Sequence, residues 1–193
     1  YVTKRKSFDT LKLLYVGNLN NRNIDITIIG FHNFINLYKI SNITYTIIGF
    51  GNTVQVKYLN KLIDDLKLHD FVFFLGELRG DNIIKYYENN NIGISFVPIT
   101  NYFNFQPPTK TYEYLLNGMP VIATNTYENS LVINDLNGVL INDNLDSFTE
   151  GLNYIYNNRF KFNYESILAA SEKFSWNNII NNNFKKILNF NDN

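Results

Sequence analysis

At 193 residues and 22.6 kDa, the chain is long enough for one domain that buries most of its apolar surface. Its 17 Lys and Arg balance 17 Asp and Glu, and 45% of residues are hydrophobic against 18% charged, which argues against a generally basic nucleic-acid binder and against an acidic disordered chain. The lack of cysteine removes disulfides, thiolate metal sites and cysteine nucleophiles. The two histidines, His32 and His69, lie far apart and have no carboxylates at ligand-like spacing, so neither a metal nor a cofactor is expected.

Asn is abundant at 34 residues and Ala scarce at three, with 14 Tyr and 16 Phe. This bias matches the amino acids of AT-rich codons, and the apolar residues keep their periodicity between the Asn clusters, unlike a low-complexity tract. Tyr1 in place of Met suggests a piece of a longer chain. No apolar run reaches the roughly 20 residues that span a membrane, and no signal peptide opens the sequence, so a soluble, cytoplasmic protein is expected.

In chain order, short apolar runs alternate with amphipathic segments. A strand over Leu11 to Val16 ends at Gly17 and a polar loop, Asn18 to Asn23. Ile24, Ile28, Phe31, Phe34, Ile35 and Tyr38 then recur at helical spacing. A second strand, Tyr45 to Ile48, leads through Gly49-Phe50-Gly51 into a helix over Val54 to Leu68. A third, Phe71 to Leu75, leads through Gly80 into a helix over Asp81 to Asn89, for which Asp81 is the expected cap. Ile92 to Val97 is a fourth strand, followed by a loop from Pro98 to Pro108. A helix over Thr109 to Asn117 is stopped by Gly118 and Pro120. Val121 to Ala123 and Val139 to Ile141 complete the strands. Helices follow over Asp146 to Asn157, Tyr164 to Lys173 and Trp176 to Leu188. About six such alternations predict an α/β fold, a Rossmann-like open parallel sheet of about six strands with helices on both faces. Its doubly buried strands explain the nearly continuous apolar runs FVFFLG and IGISFV. Ligands of such folds bind beyond the carboxyl ends of the strands.

Two assignments for those loops fail. In Gly49-Phe50-Gly51 the third glycine of a dinucleotide fingerprint falls at Val54, after the second strand instead of the first, and no acidic residue follows at the right distance. A phosphoacceptor receiver needs acids after the first strand and an Asp after the third, where this chain has Asn18, Asn20 and Arg22, then Gly76 and Glu77.

The most informative stretch is Pro107 to Thr124. Two prolines feed a helix start, whose free N–H groups and partial positive charge suit a phosphate, and Lys110 adds a full charge that is mildly unfavourable there unless an anion visits. Glu113, one turn on, fits two roles equally by spacing: a carboxylate accepting from a vicinal diol, or an acid favoured by the helix dipole.

The segment PTKTYEYLLNGMPVIAT resembles the nucleotide-sugar signature of retaining glycosyltransferases of family four, which share the GT-B fold of two facing Rossmann-like domains. LLYVGNL, YTIIGFG, FVFFLGEL, IIKYYENNNIGISFVP and FSWNNIINNNFKKIL resemble that family's elements in order, within its C-terminal donor-binding half. The resemblance implies that residues 1–193 form a nucleotide-sugar-binding domain, with 1–10 as linker and 174–193 as C-terminal helix, and that the N-terminal acceptor domain is absent. It implies retaining, metal-independent hexosyl transfer from a UDP- or GDP-sugar to a glycan or lipid-linked acceptor, with no nucleic-acid partner and at most peripheral contact with the inner membrane face. The chain by itself would be inactive.

Residue by residue, Glu113 matches the ribose-holding second Glu of the family's Glu, seven residues, Glu motif. The first Glu falls at Phe105, leaving Asn104 or Gln106 as substitutes. Of the family's diphosphate-binding cations after the first strand, Asn18 takes the place of one, and Arg22 lies near the other, with Lys110 as a further source of charge. Gly17, Gly51, Pro108, Thr109 and Thr111 complete the donor loops. Gly76, Leu78 and Arg79 fall in the base-contacting segment, where Arg79 fits an ordinary exposed surface residue better than a base contact. Tyr102, Phe103 and Phe105 form an aromatic cluster that fits packing or a wall of the donor site. Lys4, Arg5 and Lys6 read as a solvated linker and Trp176 as core or interdomain packing. Two rivals stand beside this reading: a nucleotide-sugar-binding module without catalysis, favoured by Phe105 and Asn18, and a nucleotide-sugar 2-epimerase of the same architecture.

Overall fold

A computed structural model describes residues 4–184. Six strands, β1 (Leu11–Asn18), β2 (Ile43–Phe50), β3 (Val72–Phe74), β4 (Ile92–Ser95), β5 (Val121–Thr124) and β6 (Gly138–Ile141), form one parallel sheet in the order β3-β2-β1-β4-β5-β6. The chain runs outward from β1 in one direction and from β4 in the other, so the point where the order reverses lies between these two strands.

The main helices are α1 (Ile24–Tyr38), α2 (Thr53–Asp65), α3 (Asp81–Asn89), α5 (Thr109–Leu115), α7 (Leu145–Asn158) and α8 (Tyr164–Ser171). Three four-residue turns, α4 (Asn101–Asn104), α6 (Tyr127–Ser130) and α9 (Trp176–Ile179), complete the set. Right-handed crossovers place α1 and α5 on opposite faces. α1 packs on α7, where Gly30 lets the Phe148 ring come close, and α5 packs on α8. The core consists of the strand runs and the inward helix faces, with Leu13, Tyr15, Ile47, Ile94 and Ile122 fully buried. Such near-continuous burial is what a sheet covered on both faces demands.

Several local expectations change. Asp81 does not cap α3; Gly80 takes that position at φ 57°, with no side-chain cap bond. The loop between Pro98 and Pro108 contains α4, capped by Thr100, whose hydroxyl accepts from Phe103 N–H at 3.2 Å, and α6 is capped in the same way by Thr126. Turns this short carry no helical periodicity to read. Lys6 is not solvated: it is buried, and its ammonium donates to the carbonyls of Tyr87 and Glu88 at the end of α3, the second at 2.9 Å. Burial lowers its pKa to about 8, against a smaller opposing effect of Glu88. Phe8, in the expected linker, is buried near Phe162. Trp176 is 66% exposed and does not belong to the core. The expected helix from Trp176 to Leu188 comprises α9 and a wide turn over Ile180–Phe184, and its remainder lies outside the described residues.

β1 and β2 pair along their whole length, whereas β1 and β4 pair only at Leu13 with Ile92 and Leu14 with Gly93. The fully buried Tyr114 of α5 accounts for this divergence. Its ring fills the space above Gly93, where a Cβ would lie 2.3 Å from Tyr114 Cγ, and its hydroxyl accepts from Val16 N–H at 2.9 Å. Gly93→Ala is therefore expected to lower stability by about 1–3 kcal/mol through overpacking. Tyr114→Phe should cost a similar ~1–3 kcal/mol by leaving a buried N–H unpaired. Denaturant midpoints at constant slope measure both.

Candidate functional site

The loop after β1 is tied down before it reaches any pocket. Leu19 N–H bonds to Phe50 O at 2.8 Å, Asn18 Oδ1 accepts from Asn20 N–H at 2.9 Å, and Asn20 Oδ1 accepts from Asn52 N–H at 2.9 Å. Gly17, at φ 149°, lies directly beneath Lys110; a Cβ there would stand 2.3 Å from Lys110 Cε. Glycine at this position lets the lysine cross the end of β1, with its ammonium 5.4 Å from the centre of the Tyr15 ring.

Arg22 closes the same loop. Its guanidinium sits 4.0 Å above the Phe103 ring of α4, and its Nε is buried with no hydrogen-bond partner. Arg22 and Lys110 both line a pocket of about 80 Å³, with Phe103, Gln106 and Thr109 as walls and Asn129 among its polar groups. Among the described residues, neither cation forms an ion pair. Burial, and then the nearby Arg22 charge, lower the Lys110 pKa to about 8, while Glu113 acts in the opposite sense.

Beyond Lys110 the cleft widens. Glu113 lines a pocket of about 570 Å³ together with Val16, Ile83, Tyr87 and Asn117, and its Oε2 accepts from the Tyr87 hydroxyl at 2.8 Å. A further pocket of about 450 Å³, sharing Val16 and Ile83, is lined by Gly17, Gly49, Leu78 and Arg79. Two cations thus line one pocket, a carboxylate a second, and Leu78 and Arg79 a third that shares Val16 and Ile83 with the second, near the carboxyl ends of the strands where the sheet order reverses.

The structure brings Arg22, Lys110, Gln106, Pro108 and Thr109 together in the first pocket. Gly17, Leu78 and Arg79 meet in the last. Arg79 also pairs with Glu77, Nε to Oε1 at 2.7 Å, on an exposed surface. Gly76, at φ 69°, accepts from Gly49 N–H through its carbonyl and thereby fixes the loop that carries them.

Besides Gly76, four of the expected donor-site residues line none of these three pockets. Thr111 faces inward, fully buried; its hydroxyl donates to Asn129 Oδ1 at 2.7 Å and lies 2.9 Å from Ser95 Oγ, so it anchors α5. Phe105 is 61% exposed and packs on Tyr127, ring centres 5.4 Å apart, outside the pocket. Asn18 spends its side chain inside its own loop, and Gly51 lies against Leu19 and Asn20. Of the two candidate substitutes for the missing carboxylate, Asn104 is engaged by Tyr127 N–H at 2.7 Å, and Gln106 reaches the pocket. Sequence reasoning missed Tyr87, Ser95 and Asn129. Tyr87 and Ser95 lie within IIKYYENNNIGISFVP, where nothing in the spacing singles them out, and Asn129 is one among 34 asparagines.

Among solved structures, the chain is similar to a glycosyltransferase from Rickettsia africae, with TM-score 0.74 and 17% identity, covering 96% of this chain and 49% of that one. It is similar to the C-terminal domain of a glycosyl transferase group 1 family protein (LpcC) from Francisella tularensis, with TM-score 0.68 and 15% identity, covering 86% and 87%. It also resembles Anabaena Alr3699/HepE in complex with UDP and glucose, with TM-score 0.74 and 20% identity, covering 94% and 48%. The chain spans about half the length of the Rickettsia and Anabaena proteins. No curated protein matches the sequence. At these identities the structures establish a shared Rossmann-like α/β fold, and the family model described as glycosyl transferases group 1 matches residues 4–173. The chain accordingly belongs to the glycosyl transferases group 1 family.

Proposed function

We propose that this chain is the donor-binding half of a glycosyltransferase that moves a hexosyl group from a UDP- or GDP-sugar to a glycan or lipid-linked acceptor, with retention of configuration and without a bound metal. The observation that carries this reading is the pair of cations, Arg22 and Lys110, held in a small pocket with no acid in its lining among the described residues, with Lys110 one helical turn before Glu113 on α5. A cation pair without a counter-ion suits a diphosphate, whose charge grows as the sugar departs; fixed positive charge is worth most at that moment. Glu113 then holds the ribose diol through charge-assisted hydrogen bonds, and the Leu78 pocket receives the base. The UDP bound to Anabaena HepE supports this choice of ligand. The acceptor, with any acid or base acting on it, belongs to residues outside these 193, so the chain alone binds nucleotide and turns over nothing. The intact enzyme works in the cytoplasm, in contact with the membrane at most through its surface.

Calorimetry with UDP and GDP tests the assignment. Glu113→Ala should weaken the preferred nucleotide by about tenfold or more, as expected for loss of charge-assisted hydrogen bonds. Unchanged affinity removes the ribose role, and sugar transfer by the isolated chain contradicts the division of labour.

The pH dependence follows from Lys110. Its folded-state pKa is depressed to about 8 from an ordinary 10.5. Nucleotide affinity should therefore fall as pH rises through 8, because binding then has to recapture a proton. For stability, the unfolded chain binds the extra proton between pH 8 and 10.5, so this group's penalty is fully present below 8 and disappears as pH rises through that window. Lys110→Met should flatten the pH profile of UDP affinity, weaken binding at pH 7 by about tenfold or more, and raise the melting temperature at pH 7. A parallel pH profile in the variant rules out Lys110 as the titrating cation.

A further inference from the structure

α3 buries none of its residues completely, yet three contacts converge on Tyr87 near its end. Lys6 holds the Tyr87 and Glu88 carbonyls. The Tyr87 ring lies 5.9 Å from that of Tyr114, inclined by 43°. Its hydroxyl donates to Glu113 Oε2 at 2.8 Å. From the other side, Asn117 Nδ2 donates to the Glu113 carbonyl at 2.8 Å and fixes the backbone that carries the carboxylate. Glu113 is exposed and has no ion pair among the described residues. Without a partner, such a side chain exchanges rotamers freely, and each ligand bound must first restrict it.

We propose that Tyr87 is a positioning residue: its hydroxyl holds the Glu113 carboxylate in one rotamer, leaving Oε1 and the spare lone pair of Oε2 for the adjoining pocket, and so sets selectivity for a ribose over a deoxyribose. The proposal rests on the reading of Glu113 as the ribose ligand. A carboxylate oxygen accepts two hydrogen bonds, so Tyr87 and one ligand hydroxyl share Oε2 while the second hydroxyl takes Oε1. Burial, then the charge of Glu113 and the hydrogen bond to it, push the Tyr87 hydroxyl well above its ordinary value, so it remains a donor across the neutral range.

Tyr87→Phe keeps the ring against Tyr114 and removes only this donor. Calorimetry on the wild-type chain, Tyr87→Phe, Glu113→Ala and the double variant, with UDP or GDP (whichever the wild type binds more tightly), its 2′-deoxy analogue and inorganic pyrophosphate, separates the possibilities. Tyr87→Phe should weaken the ribonucleotide by about five- to tenfold, the size of one ordinary net hydrogen bond. It should leave the deoxy analogue and pyrophosphate within about twofold and add nothing to Glu113→Ala, as two residues acting through one interaction require. Unchanged ribonucleotide affinity, an equal loss with pyrophosphate, or a full Tyr87→Phe effect in the Glu113→Ala background overturns the positioning role. If Glu113→Ala itself leaves the preference for ribose intact, the ribose reading fails and the role of Tyr87 fails with it. A strong Glu113 effect beside a silent Tyr87→Phe removes the positioning role alone. Thermal unfolding of each variant separates a structural loss, which acts on all three ligands, from a loss of selectivity.

Discussion

The cleft depends on one ring being wedged into the sheet. Where β1 and β4 would otherwise continue as a ladder, Tyr114 enters above Gly93 and its hydroxyl replaces the missing strand partner of Val16 N–H. The strands part without leaving a buried donor unsatisfied, which is the condition for opening a crevice inside a hydrophobic sheet. The same insertion fixes α5. A seven-residue helix has little stability of its own, so its orientation comes from Tyr114 and Leu115 in the core and from Thr111 bonded to Asn129. With 111, 114 and 115 turned inward, helical geometry brings 110 and 113 to the cleft side by side. Lys110 and Glu113 therefore owe their positions to a tyrosine that touches neither pocket of cations nor solvent.

The charges in this region are arranged unlike those elsewhere on the surface. Lys61 pairs with Asp65, Arg5 with Glu165 and Arg79 with Glu77, all exposed and each contributing little. Arg22 and Lys110 instead share a small pocket, one stacked on Phe103 and the other crossing Gly17, with no acid between them. Their mutual repulsion and partial burial work against folding, which is the meaning of the lowered Lys110 pKa. Local rules of stability are broken most often where a ligand compensates, and this is the main physical support for an anion site. Glu113 is near enough to oppose the shift without reversing it.

How much of this was legible in the sequence varies with the length scale of each signal. The six strands and six longer helices follow from apolar runs and helical spacing, because burial on both sheet faces dictates them over three to fifteen residues. α4 and α6 do not, since a single capped turn has no period, and Gly80 was overlooked beside Asp81 because an acidic residue at a helix start is the commoner cap. At the site, Lys110 and Glu113 stood out through their distance from two prolines. Tyr87 did not, because its role arises from α3 lying beside α5 and has no trace in spacing. The asparagines show the same limit. Composition explains their number, but not that Asn52, Asn144 and Asn163 cap helices, that Asn21 and Asn23 take positive φ, or that buried Asn91 bridges Ser7 and Thr10.

The two departures from the family pattern take on a physical sense once they are considered together. Asn18 stands where the resemblance places a cation, and Phe105 where it places a carboxylate; each alone changes the charge of the donor cleft by one unit. Jointly they leave the balance unaltered, because a positive and a negative group are lost together. Asn18 has become part of the loop, bonding Asn20, and Phe105 has turned outward onto Tyr127, while neutral Gln106 takes a place in the pocket wall. With two cations and no carboxylate in its lining among the described residues, the pocket of Arg22 and Lys110 keeps an excess of positive charge, which is what the proposed diphosphate requires.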